Sequence, residues 1–277
     1  MVSTLNIVGA GHVGRTLGRL LHARGVFDVQ DVLTRSQASA DSAVAFIGAG
    51  RALAQLEQLR PAAIWMLAVG DDQIGPGCAA LAASGLLDGA IVFHCSGAKA
   101  SNELQTARQA GAQVASIHPV RSFADPAAVA AAFDGTWCGV EGDAAALAVL
   151  APAFEAIGAR LVTIDAAAKT VYHAASVFAS NYLVTVLDAA LRAYAAAGVP
   201  PEVARQLARP LASETLNNVF RLGAPAALSG PVARGDMATV ARQQAALQDW
   251  DAPTSALYAA LVEATKVLAE RKRRGAA

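Results

Sequence analysis

The sequence predicts an α/β protein: a mainly parallel sheet covered by helices over residues 1–165, followed by an all-helical part over residues 166–277. Three observations lead there. Short β-rich runs alternate with helical patterns up to Asp165. Strand signals then stop. The strand–helix–strand rhythm is the one that parallel pairing requires, because each return crossover needs a helix.

The elements follow in order. Strands are expected at "TLNIVGA", "DVQDVLT", "AAIWMLAV", "AIVFHCS", "AQVASI", "TWCGVE" and "ARLVTI". The helix after the first strand carries Val13, Leu17, Leu20 and Leu21 on one face. "FIGAGRAL" repeats a Gly-Ala-Gly step, but Leu53 stands where a third glycine would be, and it reads as a helix end and turn. Residues 166–197 read as one long helix stopped by "AGVPPE", with further helices near 202–221, 236–249 and 253–273. Within the long helix, "TVYHAASVFASNYLVTVL" has no formally charged side chain and is long enough to suggest a membrane span. Its His, Asn, tyrosines and hydroxyls would be penalised in hydrocarbon, so a buried helix of a soluble protein is expected.

Composition narrows the function classes. Basic and acidic residues balance at 22 each, which leaves no net field to attract nucleic acid or an anionic membrane. The run "RKRR" near the C-terminus suits a solvated helix end. Cys78, Cys95 and Cys138 are odd in number and widely spaced, which argues against a disulfide framework and a zinc site, and no metal is expected. With no basic segment before the first apolar run, a cytoplasmic location is expected.

"NIVGAGHVGRTLG" supplies Gly9, Gly11 and Gly14, with His12 and Val13 between them, directly after a strand and at the start of a helix. The first glycine allows the tight turn, the second lets a pyrophosphate approach the backbone, and the third lets helix and strand pack closely. The helix N-terminus offers amide donors to the anion. Residues 1–165 are therefore expected to bind a dinucleotide. At the end of the second strand, where an NAD-binding chain places Asp or Glu, the sequence reads Thr34, Arg35, Ser36. An arginine flanked by hydroxyls suits a 2′-phosphate, so NADP is favoured over NAD. Asp31 is the competing residue, placed too early in the strand.

Ligands of open α/β sheets bind beyond the carboxyl ends of the strands. That rule selects Val69 and Gly70 near the cofactor, Ser96 and Gly97 in "FHCSGAKAS", and His118 and Arg121 in "SIHPVRSF". His118, with an ordinary pKa near 6.5, would suit proton exchange at neutral pH. On the long helix, Lys169, His173 and Asn181 share one arc and need a polar destination.

Together, "GAGHVG", "HCSGA", "SIHPVRSFAD", "YHAASVFASN" and "GPVARGD" make the chain resemble a family of Rossmann-like proteins with a C-terminal helical domain of unassigned function. More distantly it is similar to the β-hydroxyacid dehydrogenases, pyrroline-5-carboxylate reductase and prephenate dehydrogenase. The resemblance implies an NADP-dependent oxidoreductase moving a hydride to or from a small carbonyl or alcohol substrate, expected to be anionic. An imine reductase and a non-enzymatic NADP-binding sensor are the alternatives. It implies Ser96 and His118 as the groups flanking substrate, and Lys169 as an acid/base, with His173 where the β-hydroxyacid dehydrogenases carry asparagine. It also implies a homodimer formed through the helical domain, with Arg234 a candidate clamp for a substrate carboxylate.

Overall fold

A computed structural model describes residues 2–275. In chain order the first elements are β1 (Thr4–Val8), α1 (His12–Ala23), β2 (Asp28–Leu33), α2 (Gln37–Ile47), β3 (Arg51–Leu53) and β4 (Ile64–Leu67). They are followed by α3 (Ile74–Ala83), β5 (Ile91–His94), α4 (Gln105–Gln109), β6 (Gln113–Pro119) and α5 (Pro126–Ala131). Next come β7 (Trp137–Gly142), α6 (Ala144–Ala156), β8 (Arg160–Thr163) and α7 (Lys169–Ala179). The remainder is helical: α8 (Asn181–Ala196), α9 (Pro201–Leu222), α10 (Ala224–Ala227), α11 (Pro231–Arg234), α12 (Met237–Trp250) and α13 (Ala252–Gly275).

The eight strands form one sheet in the order β3-β2-β1-β4-β5-β6-β7-β8. Pairing is parallel throughout except between β6 and β7. All seven expected strands are present. The eighth, β3, was not expected: Gly48 ends α2 in the left-handed region at φ 90°, as the turn reading required, and three residues then pair with β2. So short a strand has too few residues to register as a β pattern.

The sheet is covered on both faces, which explains why its central strands read as nearly unbroken apolar runs. Successive side chains alternate between two cores. Ile7, Met66, Phe93 and Ala115 join the cluster that includes Leu17 and Leu21 of α1 and Leu150 and Phe154 of α6. Val8, Trp65, Leu67, Val92 and Val114 join the cluster that includes Ile74, Cys78 and Leu81 of α3. At about 25 cal/mol per Å² of apolar surface removed from water, these two layers dominate the stabilisation of the sheet.

The expected single helix over residues 166–197 is corrected. Ser180 leaves helical geometry at φ −126° and ψ −75°, and separates α7 from α8. The chain divides into compact units at the same point, residues 2–180 of the described chain and Asn181 onward, rather than after Asp165. The reason is local: the first turns of α7 are tied to the sheet. The uncharged stretch is also not buried. It is long and apolar enough to cross a membrane, yet its window is 0% buried within the chain, with Val171 75% exposed.

Lys169 accounts for the tie. It is only 1% exposed. Its ammonium donates to Ser116 Oγ on β6 and lies 3.4 Å from Glu141 Oε1 on β7. Glu141 also accepts from the backbone N–H of Ser101 at 2.8 Å and from its hydroxyl at 2.7 Å. Burial pulls Lys169 below the usual lysine pKa, opposed by the attraction of Glu141. Removing one partner would leave the other buried and uncompensated, at a cost of about 3–5 kcal/mol. Lys169→Met is therefore expected to lower unfolding stability by about that amount in urea titration, and Lys169→Met/Glu141→Leu to recover part of the loss.

Candidate active site

Two cavities open at the carboxyl ends of the strands, and both are lined by Gly11, Ala68, Val69 and Gly70. The larger, about 840 Å³, extends toward Thr34 and Arg35. The smaller, about 470 Å³, extends toward Ser96, His118 and His173.

The three glycines at their junction have separate reasons to be glycine. Gly9 sits at φ +83°, and a Cβ there would stand 2.6 Å from the carbonyl oxygen of Ala68. A Cβ on Gly14 would lie 2.5 Å from Gly9 O, so only glycine lets α1 approach the loop. A Cβ on Gly11 meets nothing within 4 Å. Gly11 instead faces open space at the N-terminus of α1, where no side chain caps the free amides. An extended phosphate group fits that cradle.

At the end of β2, Thr34 and Arg35 line the larger cavity, and Arg35 is exposed. Ser36 caps α2, its hydroxyl accepting from the N–H of Ser39. Thr34 donates its hydroxyl to Ser36 O at 2.9 Å, which shapes the turn. Arg15 lines the same cavity while its Nε donates to Ala10 O at 3.1 Å. Sequence reading missed it, although it stands one helical turn after Gly11. Asp31 is unavailable to a ligand. Its carboxylate is 0% exposed and held by Arg60, at 2.6 Å, and by Arg51, at 3.1 Å. Despite burial, those hydrogen bonds hold its pKa below the usual carboxylate value.

The smaller cavity gathers the polar groups of two adjacent strand ends and α7. Ser96 Oγ accepts from the N–H groups of Ala98, at 3.1 Å, and Lys99, at 2.9 Å. These bonds fix the hydroxyl oxygen and leave its proton free to donate. Gly97 stands between two imidazoles: a Cβ there would lie 2.4 Å from His173 Nδ1 and 2.8 Å from His118 Nε2. The two rings meet edge to face with centroids 5.7 Å apart. His173 Nδ1 is buried with no hydrogen-bond partner among the described residues. His12 and Val13 line the cavity too, and His12 Nδ1 bonds Phe123 O at 2.6 Å, tying the glycine loop to the segment after β6. Arg121 lines the rim, but its guanidinium donates to Ala132 O and to Thr136 Oγ1.

The electrostatics correct one expectation. His118 does not keep an ordinary pKa. Burial first, then His173 and Lys169, push it down to about 4, against the pull of Asp71. It is a neutral imidazole at pH 7. Cys95, at the cavity wall, is pushed up to about 12 by burial and stays a thiol.

Of the expected residues, one is engaged by the sheet and two belong to the second unit, Asn181 onward. Lys169 lines neither cavity, its ammonium being engaged by Glu141 and Ser116. The helix that was expected to carry Lys169, His173 and Asn181 on one arc is interrupted at Ser180. Asn181 begins α8 and is exposed, as is Arg234 at the end of α11. Conversely, Tyr172 was missed: its hydroxyl lies 3.0 Å from His118 Nδ1.

The histidines make stability depend on pH. His94 is fully buried, bonded to Ala100 O through Nε2 and accepting the N–H of Ser96 at Nδ1, and burial lowers its pKa to about 4 as well. Both folded pKa values lie below the unfolded 6.5, so between about pH 6.5 and 4 the unfolded chain binds more protons. Stability should therefore be full above pH 6.5 and fall as pH drops toward 4. Thermal unfolding across that range would measure the slope, which His94→Gln should flatten.

Comparison with known proteins places this geometry. Residues 2–119 match the family model of a Rossmann-like domain, and residues 136–265 match that of a domain of unknown function, DUF2520. No curated protein matches the chain in sequence. Among solved structures, a "putative NADP oxidoreductase" from Bacteroides fragilis has a TM-score of 0.79 at 19% identity, covering 96% of this chain and 98% of its own. Protein TM1727 from Thermotoga maritima has a TM-score of 0.73 at 27% identity, covering 97% and 99%. An imine reductase from Myxococcus stipitatus, in complex with NADP+, has a TM-score of 0.66 at 16% identity, covering 98% and 94%. The glycine cradle and the strand-end histidine thus lie in the stretch that matches the Rossmann-like model, and β7, β8 and most of the helical part lie in the stretch that matches DUF2520.

Proposed function

We propose that the protein is an NADP-dependent oxidoreductase acting on a small carbonyl or alcohol substrate. The observation that carries this reading is the wall that the two cavities share at Gly11 and Val69–Gly70. One cavity offers cations and hydroxyls, and the other offers a hydroxyl proton and two imidazoles. That is the distribution of chemistry a phosphorylated dinucleotide and its substrate require. When bound, the nicotinamide supplies or accepts the hydride.

The chain's own residues have separable tasks. The free amides of α1 and the open face of Gly11 would hold the pyrophosphate, and Arg35 with Arg15 the 2′-phosphate. Ser96 would donate its hydroxyl proton to the substrate heteroatom. His118 would hydrogen-bond the same atom as a neutral imidazole, and His173 would orient the remainder. NADP-bound and imine reductase structures of the same fold, including pyrroline carboxylate reductase from Plasmodium falciparum with NADP bound, support the choice of cofactor. Reduction of a protonated imine is a second reading, favoured by the Asp71 carboxylate at the cavity wall beside the uncharged His118. Arg234 has its place in this proposal only as a carboxylate clamp in an assembled homodimer. Exposed apolar side chains such as Val184, Leu211 and Phe220 on the helical unit support assembly through it. Sedimentation of the purified protein as a monomer would overturn that part.

Fluorescence titration should show NADPH binding in preference to NADH. Arg35→Ala should weaken NADPH roughly ten- to a hundredfold, the worth of one or two charge-assisted hydrogen bonds, and leave NADH nearly unchanged. His118→Ala should cut turnover while sparing NADPH affinity. Equal affinity for the two nucleotides in the wild type would remove Arg35 from the site.

A further inference from the structure

Tyr172 connects three elements that the proposed chemistry does not otherwise join. It lies on α7, and its hydroxyl is 3.0 Å from Nδ1 of His118 on β6. The residue paired with His118 across the antiparallel ladder is Gly139 of β7. The Tyr172 oxygen lies against the backbone of Gly139. A Cβ on Gly139 would stand 2.5 Å from that oxygen, so glycine at this position makes room for the hydroxyl. The two rings meet edge to face, with centroids 5.6 Å apart and planes at 88°.

The donors and acceptors can then be assigned. The phenol proton of Tyr172 needs an acceptor. Among the described residues the acceptor within hydrogen-bonding reach is His118 Nδ1. Burial raises the Tyr172 pKa, so the phenol keeps its proton at neutral pH. An imidazole that accepts at Nδ1 and is uncharged carries its one proton on Nε2. Nε2 is the nitrogen beside Gly97 in the smaller cavity.

We infer that Tyr172 is a positioning residue that fixes His118 as the Nε2–H tautomer, so that the site presents a hydrogen-bond donor and selects a substrate whose reacting heteroatom brings a lone pair. A carbonyl oxygen qualifies. The N–H of a protonated imine would face Nε2–H donor to donor. The tautomer rests on the Tyr172–His118 contact and on both groups being neutral, while the substrate selection rests on the oxidoreductase reading above.

Two-bond proton–nitrogen NMR correlation on histidine-labelled protein reads the tautomer directly, without cofactor or substrate. The wild type is expected to show His118 protonated at Nε2 and bare at Nδ1 at pH 7. Tyr172→Phe keeps the ring contact and removes the hydroxyl, and is expected to give a mixture of tautomers. A wild-type His118 protonated at Nδ1 would overturn the assignment, whether or not the variant folds. So would a tautomer unchanged in Tyr172→Phe. For the selection, NADPH oxidation with small aldehydes, ketones and 2-oxo acids is compared with oxidation by cyclic imines. Tyr172→Phe is expected to lower kcat for the carbonyl substrate roughly tenfold, the worth of one positioned hydrogen bond, with NADPH affinity unchanged. Turnover only of imines that are protonated at the assay pH would overturn the selection but leave the tautomer and the oxidoreductase reading intact. Failure to bind NADPH would overturn that reading and the selection with it, while the NMR result stands independently.

Discussion

The site depends on a buried cation. Lys169 opens α7 beneath the sheet surface, and an ammonium removed from water must find compensating charge and hydrogen bonds. Glu141 on β7 and Ser116 on β6 supply them, and Ser101 satisfies the remaining capacity of the carboxylate. The first turn of α7 is thereby held across the one antiparallel junction of the sheet. Tyr172 and His173 follow at three and four residues, which in a helix is one turn further along the same face. Their meeting with His118 is a consequence of where the lysine is anchored.

Close approach is the second constraint, and glycine meets it in different ways. Gly9 and Gly14 bring a loop, a strand and a helix within backbone contact of one another. Gly97 and Gly139 instead make room for side chains, the two imidazoles in one case and the phenol in the other. The first pair belongs to a pattern that any reader of sequences would notice. The second pair carries no local signal, since neither needs a left-handed backbone and each is explained only by a residue distant in the chain. Gly97 and Gly139 are as necessary to the arrangement of His118 as Gly9 is to the nucleotide loop.

That contrast explains what was legible in the sequence. Patterns within a few residues could be read: the strand alternation, the amphipathic face of α1, the glycine loop, and the serine and His-Pro at adjacent strand ends. Quantities set by tertiary surroundings could not. Helical spacing put Lys169 and His173 on one face, but not the ion pair that buries the lysine. It also extended the face to Asn181 through Ser180, where the backbone turns out of the helix. The shift of His118 to about 4 comes from burial and from His173 and Lys169, more than fifty residues away. Nothing near Tyr172 in the sequence pointed to His118, 54 residues earlier, as the partner of its hydroxyl.

The same reasoning bears on the uncharged stretch spanning α7 and α8. Its composition predicted burial, and within this chain its side chains are largely exposed. Hydrocarbon is a poor match for that surface. Lys169 at its start holds a charge in a polar network, and Tyr172 and His173 face groups of the sheet. The helical path is interrupted at Ser180, whereas backbone exposed to lipid must satisfy its hydrogen bonds within the segment. A protein surface imposes no such demand, because it can offer donors and acceptors beside apolar side chains. Polar anchors in the first half are therefore a poor match for a bilayer, exposed valines such as Val184 in the second fit the assembly proposed above, and the balanced charge of the chain adds no attraction toward anionic lipid.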